Sequence, residues 1–144
     1  MRIALLVSSY HDFVTARLEA GAREALRESG LADQDVVTFS VPGAYELPQA
    51  AHRLAQTGSW HGIVCLGCLI RGETPHFDYI AKAAAQGIMR AAQDTGVPVG
   101  FGVLTTNTAE EALARAGEGD GNKGREAAAA VVKLAALYAQ IDKQ

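Results

Sequence analysis

The chain has 144 residues, enough for one domain, and with 49% of them apolar it can bury a continuous core unaided. Its 13 basic and 16 acidic side chains are scattered, giving a formal net charge of -3 and no cationic stripe for a phosphate polymer, so nucleic acid is excluded as an expected partner. No apolar run approaches the roughly 20 residues that span a bilayer, and the opening MRIALLVSSYHDF has too short an apolar stretch for a convincing signal peptide; no membrane partner is expected and the cytoplasm is the expected compartment.

Short apolar runs alternate with segments of helical period. IALLVSS (3–9) predicts a buried strand. From Asp12 onward Val14, Leu18, Ala22, Ala25 and Leu26 recur at helical spacing until Gly30. VVTFSV (36–41) predicts the second strand, followed after Pro42-Gly43 by a helix carrying Leu47, Ala50, Ala51 and Leu54 and stopping near Gly58. GIVCLGCLI (62–70) is the third strand, and a helix from about Phe77 to Thr95 presents Ile80, Ala84, Ile88 and Ala91 on one face. PVGFGVLTT (98–106) is the fourth. Thr108 and Glu111 form a T-x-x-E capping box that starts a short helix ending near Gly117. A last helix runs from about Lys123 to Ile141, with Ala128, Val131, Ala135 and Tyr138 in one stripe.

Cys65 and Cys68 make a C-x-x-C inside the third strand, where residues three apart point to opposite faces. They are expected to be small core side chains, since a redox C-x-x-C opens a helix and that context is missing.

Apolar strands alternating with helices predict one α/β domain over 1–144. Its expected sheet is parallel, doubly wound and four-stranded, of flavodoxin-like order 2-1-3-4, with helices on both faces. Ligands of such folds bind outside the carboxyl ends of the strands. The loops there are SSYHDF, VPGAYE, RGETPH and TTNT.

Backbone N–H groups around Gly72, Glu73 and Thr74 precede a helix, a setting that suits a small phosphate. Glu46 begins the second helix with a carboxylate able to accept bonds from hydroxyls, and Tyr10 offers a ring for stacking on a planar ligand. His76 lies between these features and suits proton transfer, although a lone loop histidine also fits a structural role. His11, His52 and His61 show no such convergence and are expected at the surface. GDGNKG matches G-x-G-x-x-G but follows a helix, so it reads as a helix connector and not a dinucleotide loop. Arg115 and Lys123 flank it. Taken alone they are solvated charges; they lie after the last strand, far from His76, and would share a site with it only across a subunit interface.

VPGAYELP, LIRGETPHFDYI, GVLTTNT and RAGEGDGNKG together resemble, in order and spacing, the signature blocks of the lumazine synthase family, over nearly the whole chain. The resemblance implies the penultimate step of riboflavin biosynthesis, catalysed by a transferase without metal or redox cofactor. That step condenses 5-amino-6-(D-ribitylamino)uracil with 3,4-dihydroxy-2-butanone 4-phosphate, releasing phosphate and water, to give 6,7-dimethyl-8-ribityllumazine. It implies that Tyr10 stacks on the pyrimidine, that Ala44, Tyr45 and Glu46 hold that substrate, and that the backbone of Cys68, Leu69 and Ile70 reads its ring. It further implies that Glu73 and Thr74 bind phosphate through their N–H groups, that His76 shuttles protons, and that Phe101, Arg115 and Lys123 come from the adjacent subunit, with Arg115 clamping the phosphate. The implied assembly is a pentamer or a multiple of pentamers, with riboflavin synthase as a candidate partner.

The chain departs from the family pattern at Tyr10-His11, where Phe-Asn is commoner, and at Glu73, a carboxylate beside the phosphate loop that fits only if it points away. It begins at MRIALLV, without the N-terminal extension that in many members helps close a shell, which puts that assembly in question. Rival readings are a flavin- or lumazine-binding module, the archaeal type of riboflavin synthase, and a shell protein without catalysis. A phosphoreceiver fails on residue type, because Ser8-Ser9 and Arg71-Gly72 stand where it needs acidic groups.

Overall fold

In the computed structural model, which describes residues 1–144, the apolar runs form strands β1 (Ile3–Ser8), β2 (Val36–Val41), β3 (Gly62–Ile70) and β4 (Val99–Thr106). The intervening segments form helices α1 (Asp12–Glu28), α2 (Leu47–Gln56), α3 (His76–Thr95), α4 (Ala109–Ala114) and α5 (Lys123–Asp142). The strands make one parallel sheet in the order β2-β1-β3-β4. No helix is long and apolar enough to cross a membrane.

Burial follows place in the sheet. β1 is buried along its whole length and β3 nearly so, as parallel strands covered on both faces must be. The edge strands are partly open: β2 leaves Phe39 38% exposed, edge-on against Trp60, and β4 leaves Phe101 37% exposed. One core cluster joins Leu5, Val64 and Leu66 of the sheet to Val14, Leu18 and Leu26 of α1 and to Ala127, Ala128 and Val131 of α5. The other joins Leu6, Ile63 and Val103 to Leu47 and Ala51 of α2 and Ile88 and Ala91 of α3. Each fully buried leucine contributes roughly 2 kcal/mol of transfer free energy, so these faces hold the layers together.

Cys68 belongs to the first cluster and Cys65 to the second, on opposite faces as strand geometry requires. Both are free and buried; desolvation pushes the Cys65 thiol up to about 12 and the Cys68 thiol up to about 11. They are core side chains.

The T-x-x-E box forms with a shift. Thr108 Oγ1 accepts from the Glu111 N–H at 3.1 Å, while the Glu111 carboxylate takes the Asn107 N–H at 3.1 Å, one residue before the cap. The expected α5 stripe runs out early: Ala128 and Val131 are buried, but Tyr138 is 37% exposed, with Leu137 and Ile141 also open. From residue 136 onward every residue of α5 is exposed, so the apolar period continues where this chain does not cover it.

Candidate functional site

The carboxyl ends of β1, β2 and β3 open into a cavity of about 580 Å³. Tyr10, Ala44, Tyr45, Glu46, Leu69, Ile70, Thr74 and His76 line it, joined by His11, Gly43, Gly72, Phe77 and Ile80. Order 2-1-3-4 reverses the winding between β1 and β3, so their helices leave on opposite faces and the loops part, which creates this crevice.

Main-chain bonds hold the first two loops together. Ser9 N–H donates to the Val41 carbonyl at 2.9 Å and Tyr10 N–H to that of Pro42 at 3.2 Å. Thr15, buried in the first turns of α1, donates its hydroxyl to the Ser8 carbonyl at 2.8 Å. Tyr10 is thereby fixed beside the β2 loop while remaining 64% exposed. After β2, a short 3-10 turn over Ala44–Glu46 leads into α2 and brings Glu46 into the crevice.

His11 is the residue whose role the sequence hides. The sequence places it at the surface, yet it is half-buried, lines the cavity, and takes the left-handed conformation at φ 61 and ψ 48 at the head of α1. It is the one non-glycine residue with positive φ, a backbone state found disproportionately at functional sites. Its ring meets Tyr10 at 4.4 Å and Phe13 at 5.8 Å, both edge to face, and burial lowers its pKa. The histidine at residue 52 is half-buried on α2, away from this crevice, and His61 is exposed and accepts the Arg2 N–H at 2.9 Å.

On the third loop, the N–H groups of Gly72, Glu73 and Thr74 donate to no protein acceptor. The helix they precede has no side-chain cap, and His76 is its exposed first residue. Free amides ahead of a long helix are suited to an anion. Glu73 is exposed and does not line the cavity; Cys68, only 1% exposed with its side chain in the opposite core, does not line it either.

Arg71 braces this loop. Its guanidinium meets the Asp78 carboxylate at 3.3 Å and the Asn107 side chain at 3.2 Å, and lies 4.6 Å over the Phe77 ring, while its N–H donates to the Thr106 carbonyl at 2.8 Å. Nothing in a single sequence pairs residue 71 with residue 107; the contact needs β3 and β4 side by side.

Phe101, Arg115 and Lys123 line a different cavity, of about 700 Å³, along the open edge of β4, α4 as far as its C-terminal end, and the start of α5. No residue lines both cavities. Arg115 is exposed and makes no ion pair; Lys123 Nζ lies 3.4 Å from Glu126. Thr105, Thr106, Asn107, Glu111 and Glu126 complete the polar lining. No group of three or more His, Cys, Asp or Glu side chains is arranged to hold a metal ion.

Comparison with known proteins agrees over the length of the chain. The sequence model of the family described as 6,7-dimethyl-8-ribityllumazine synthase matches residues 1–139. Among proteins of that name, the one from Syntrophus aciditrophicus is 45% identical over 141 residues, 98% of this chain and 92% of its own. The one from Chlorobium phaeobacteroides is 47% identical over 139 residues, 96% of this chain and 90% of its own. A solved de novo designed Rossmann fold protein aligns at a TM-score of 0.43 and 20% identity, covering 78% of this chain and 90% of that one, too loosely to bear on function. The chain belongs to the 6,7-dimethyl-8-ribityllumazine synthase family.

Proposed function

We propose that the His76 cavity and the Arg115 cavity are two halves of one active site, completed when neighbouring copies of the chain meet. At that site the enzyme condenses 5-amino-6-(D-ribitylamino)uracil with 3,4-dihydroxy-2-butanone 4-phosphate to 6,7-dimethyl-8-ribityllumazine in riboflavin biosynthesis. The observation that carries this reading is the division of labour: one cavity holds rings, free amides and a histidine, the other holds an unpaired arginine and a lysine. A phosphate dianion wants both sets, N–H donors for geometry and a guanidinium for charge.

In the assembled site Tyr10 stacks on the pyrimidine and Glu46 accepts from the ribityl hydroxyls. Ala44 and Tyr45 border the same substrate, and the main chain of Cys68, Leu69 and Ile70 faces its ring edge. The amides of Glu73 and Thr74 hold the phosphate, with Arg115 closing on it from the next subunit beside Lys123 and Phe101. The amine attacks the ketone; His76 carries the protons that let water leave to form the imine and then let phosphate depart, after which the ribityl-bearing nitrogen closes the ring on the remaining carbonyl and a second water leaves. Holding amine and ketone together supplies effective concentration, and the cation matches charge that grows on the leaving group.

Contact of one surface with a different surface on the next copy is heterologous, and closes into a ring when the rotation allows. The family resemblance makes the proposed ring a pentamer or a multiple of pentamers, working in the cytoplasm, with riboflavin synthase as the consumer of its product. The test is to incubate purified protein with both substrates and follow the fluorescent lumazine against a no-enzyme control. Product well above the uncatalysed rate supports the reading; a background rate from a folded oligomer would contradict it and favour a binding or shell-forming protein of the same fold.

A further inference from the structure

The glycine-rich connector between α4 and α5 carries a nucleotide motif in the wrong place, and its structure points to another use. Three glycines, Gly117, Gly119 and Gly121, separate Arg115 from Lys123, a composition that gives a backbone many conformations. Yet both cations face one cavity. One side chain ties the connector off. Asn122 is 2% exposed, and its Nδ2 donates to the Gly117 carbonyl at 3.0 Å and to the Arg17 carbonyl of α1 at 3.1 Å. Its Oδ1 accepts the Arg125 N–H at 3.0 Å, capping α5, and its own N–H donates to the Gly119 carbonyl at 3.1 Å. Directly beside it, the Lys123 N–H donates to the Arg115 carbonyl at 2.9 Å, joining the two cation-bearing residues through their main chains.

The surroundings are shaped for this amide. A methyl at Gly21 of α1 would collide with the Asn122 side chain, and one at Gly124 with the Leu18 carbonyl. These two glycines let α1 and α5 approach until the asparagine fills the gap between them. The clamp also sorts charge: Arg125 draws Asp120 of the connector to 3.5 Å and pairs with Glu24 and Glu28 of α1, keeping those carboxylates apart from Arg115. Lys123 is held by Glu126 at 3.4 Å, which leaves Arg115 as the unpaired cation of the cavity.

We propose that Asn122 is a positioning residue that fixes the spacing and orientation of Arg115 and Lys123, and thereby sets the affinity of their cavity for the phosphate-bearing substrate. This role rests on the reading of that cavity as a phosphate subsite. Asn122→Asp keeps the size and the capping oxygen but loses both N–H donors, and opposes a carboxylate to two carbonyls.

The experiment compares wild type, Asn122→Asp and Arg115→Ala as folded assemblies, reading steady-state kinetics for each substrate and calorimetric titration with inorganic phosphate. The expected result for Asn122→Asp is a KM for the butanone phosphate and a dissociation constant for phosphate each raised roughly tenfold, with the KM for the ribitylaminouracil unchanged. Phosphate affinity lost in Arg115→Ala but kept in Asn122→Asp would overturn the positioning role and leave the subsite standing. Equal rises in both KM values would assign Asn122 a general structural role and likewise overturn it. A wild type that binds no phosphate would take down the subsite and the clamp together. Should Asn122→Asp fail to fold, Gly21→Ala displaces the same amide from the α1 side; unchanged phosphate constants in that variant would overturn the proposal.

Discussion

The two cavities differ in construction as well as in content. The His76 cavity lies where loops from three neighbouring strands converge, so its groups come from residues 10–80 and are fixed by the winding of the sheet. The Arg115 cavity lies along the edge strand β4 and depends on the connector between two helices. Apolar and aromatic groups dominate the first, which suits a flat ring; polar groups, two cations and the carboxylates of Glu111 and Glu126 line the second, where the unpaired Arg115 suits a phosphate. Each lacks what the other has. A site divided in this way ties activity to assembly, and it predicts that damage to one half shows a kinetic signature different from damage to the other.

The largest effect is expected at Arg115. In the proposed site Arg115→Ala removes the charge set against the departing phosphate, and it should lower kcat/KM on the order of 10³-fold, with the KM for the butanone phosphate rising. A kcat/KM within a few-fold of wild type would remove the second cavity from the site. His76→Ala should follow, lowering kcat roughly 10²-fold while both KM values stay close to wild type, because the proposed role of this residue is proton transfer and not binding. A variant that changed only a KM would make His76 a binding group instead. Tyr10→Ala should cost about tenfold in the KM for the ribitylaminouracil alone, the value of one stacking contact; a matching change for the phosphate substrate would erase the distinction between the halves.

The smallest effect concerns neither cavity. Cys65 and Cys68 should resist thiol reagents in the native assembly and react only on unfolding. Their folded thiols keep protons that the unfolded chain loses above the ordinary value of 9.0, so above that pH the unfolded state binds fewer protons and stability falls as pH rises towards about 11 and 12. Denaturant melts at pH 8 and pH 10 read this directly. Equal midpoints, or rapid labelling of the native protein at pH 8, would contradict the buried placement.

Much of this architecture is legible in the amino-acid sequence alone. β1 and β3 are readable because a strand covered on both faces is a continuous apolar run, and the strand-end rule then points to Tyr10, Glu46 and His76. The ends of α1, α2 and α3 fall within two residues of Gly30, Gly58 and Gly96, whereas α4 stops at Ala114, three residues short of Gly117. What escapes depends on neighbours distant in sequence. His11 gives no helix-cap signal, and its left-handed backbone shows only where α1 meets the β2 loop. Arg71 needs Asn107 across β3 and β4, and Asn122 needs Arg17 of α1. Tyr138 illustrates the opposite failure: its apolar period is real, but periodicity records what a face prefers and not whether this chain covers it.

The shared site is tested most directly by mixing inactive subunits. His76→Ala and Arg115→Ala chains, unfolded together, reassembled and verified as mixed oligomers, place an intact His76 opposite an intact Arg115 at about a quarter of randomly formed heterologous interfaces. Lumazine formation should recover to about that fraction of the wild-type rate, far above either variant alone. Mixed oligomers no more active than the separate variants would contradict a site built from two chains.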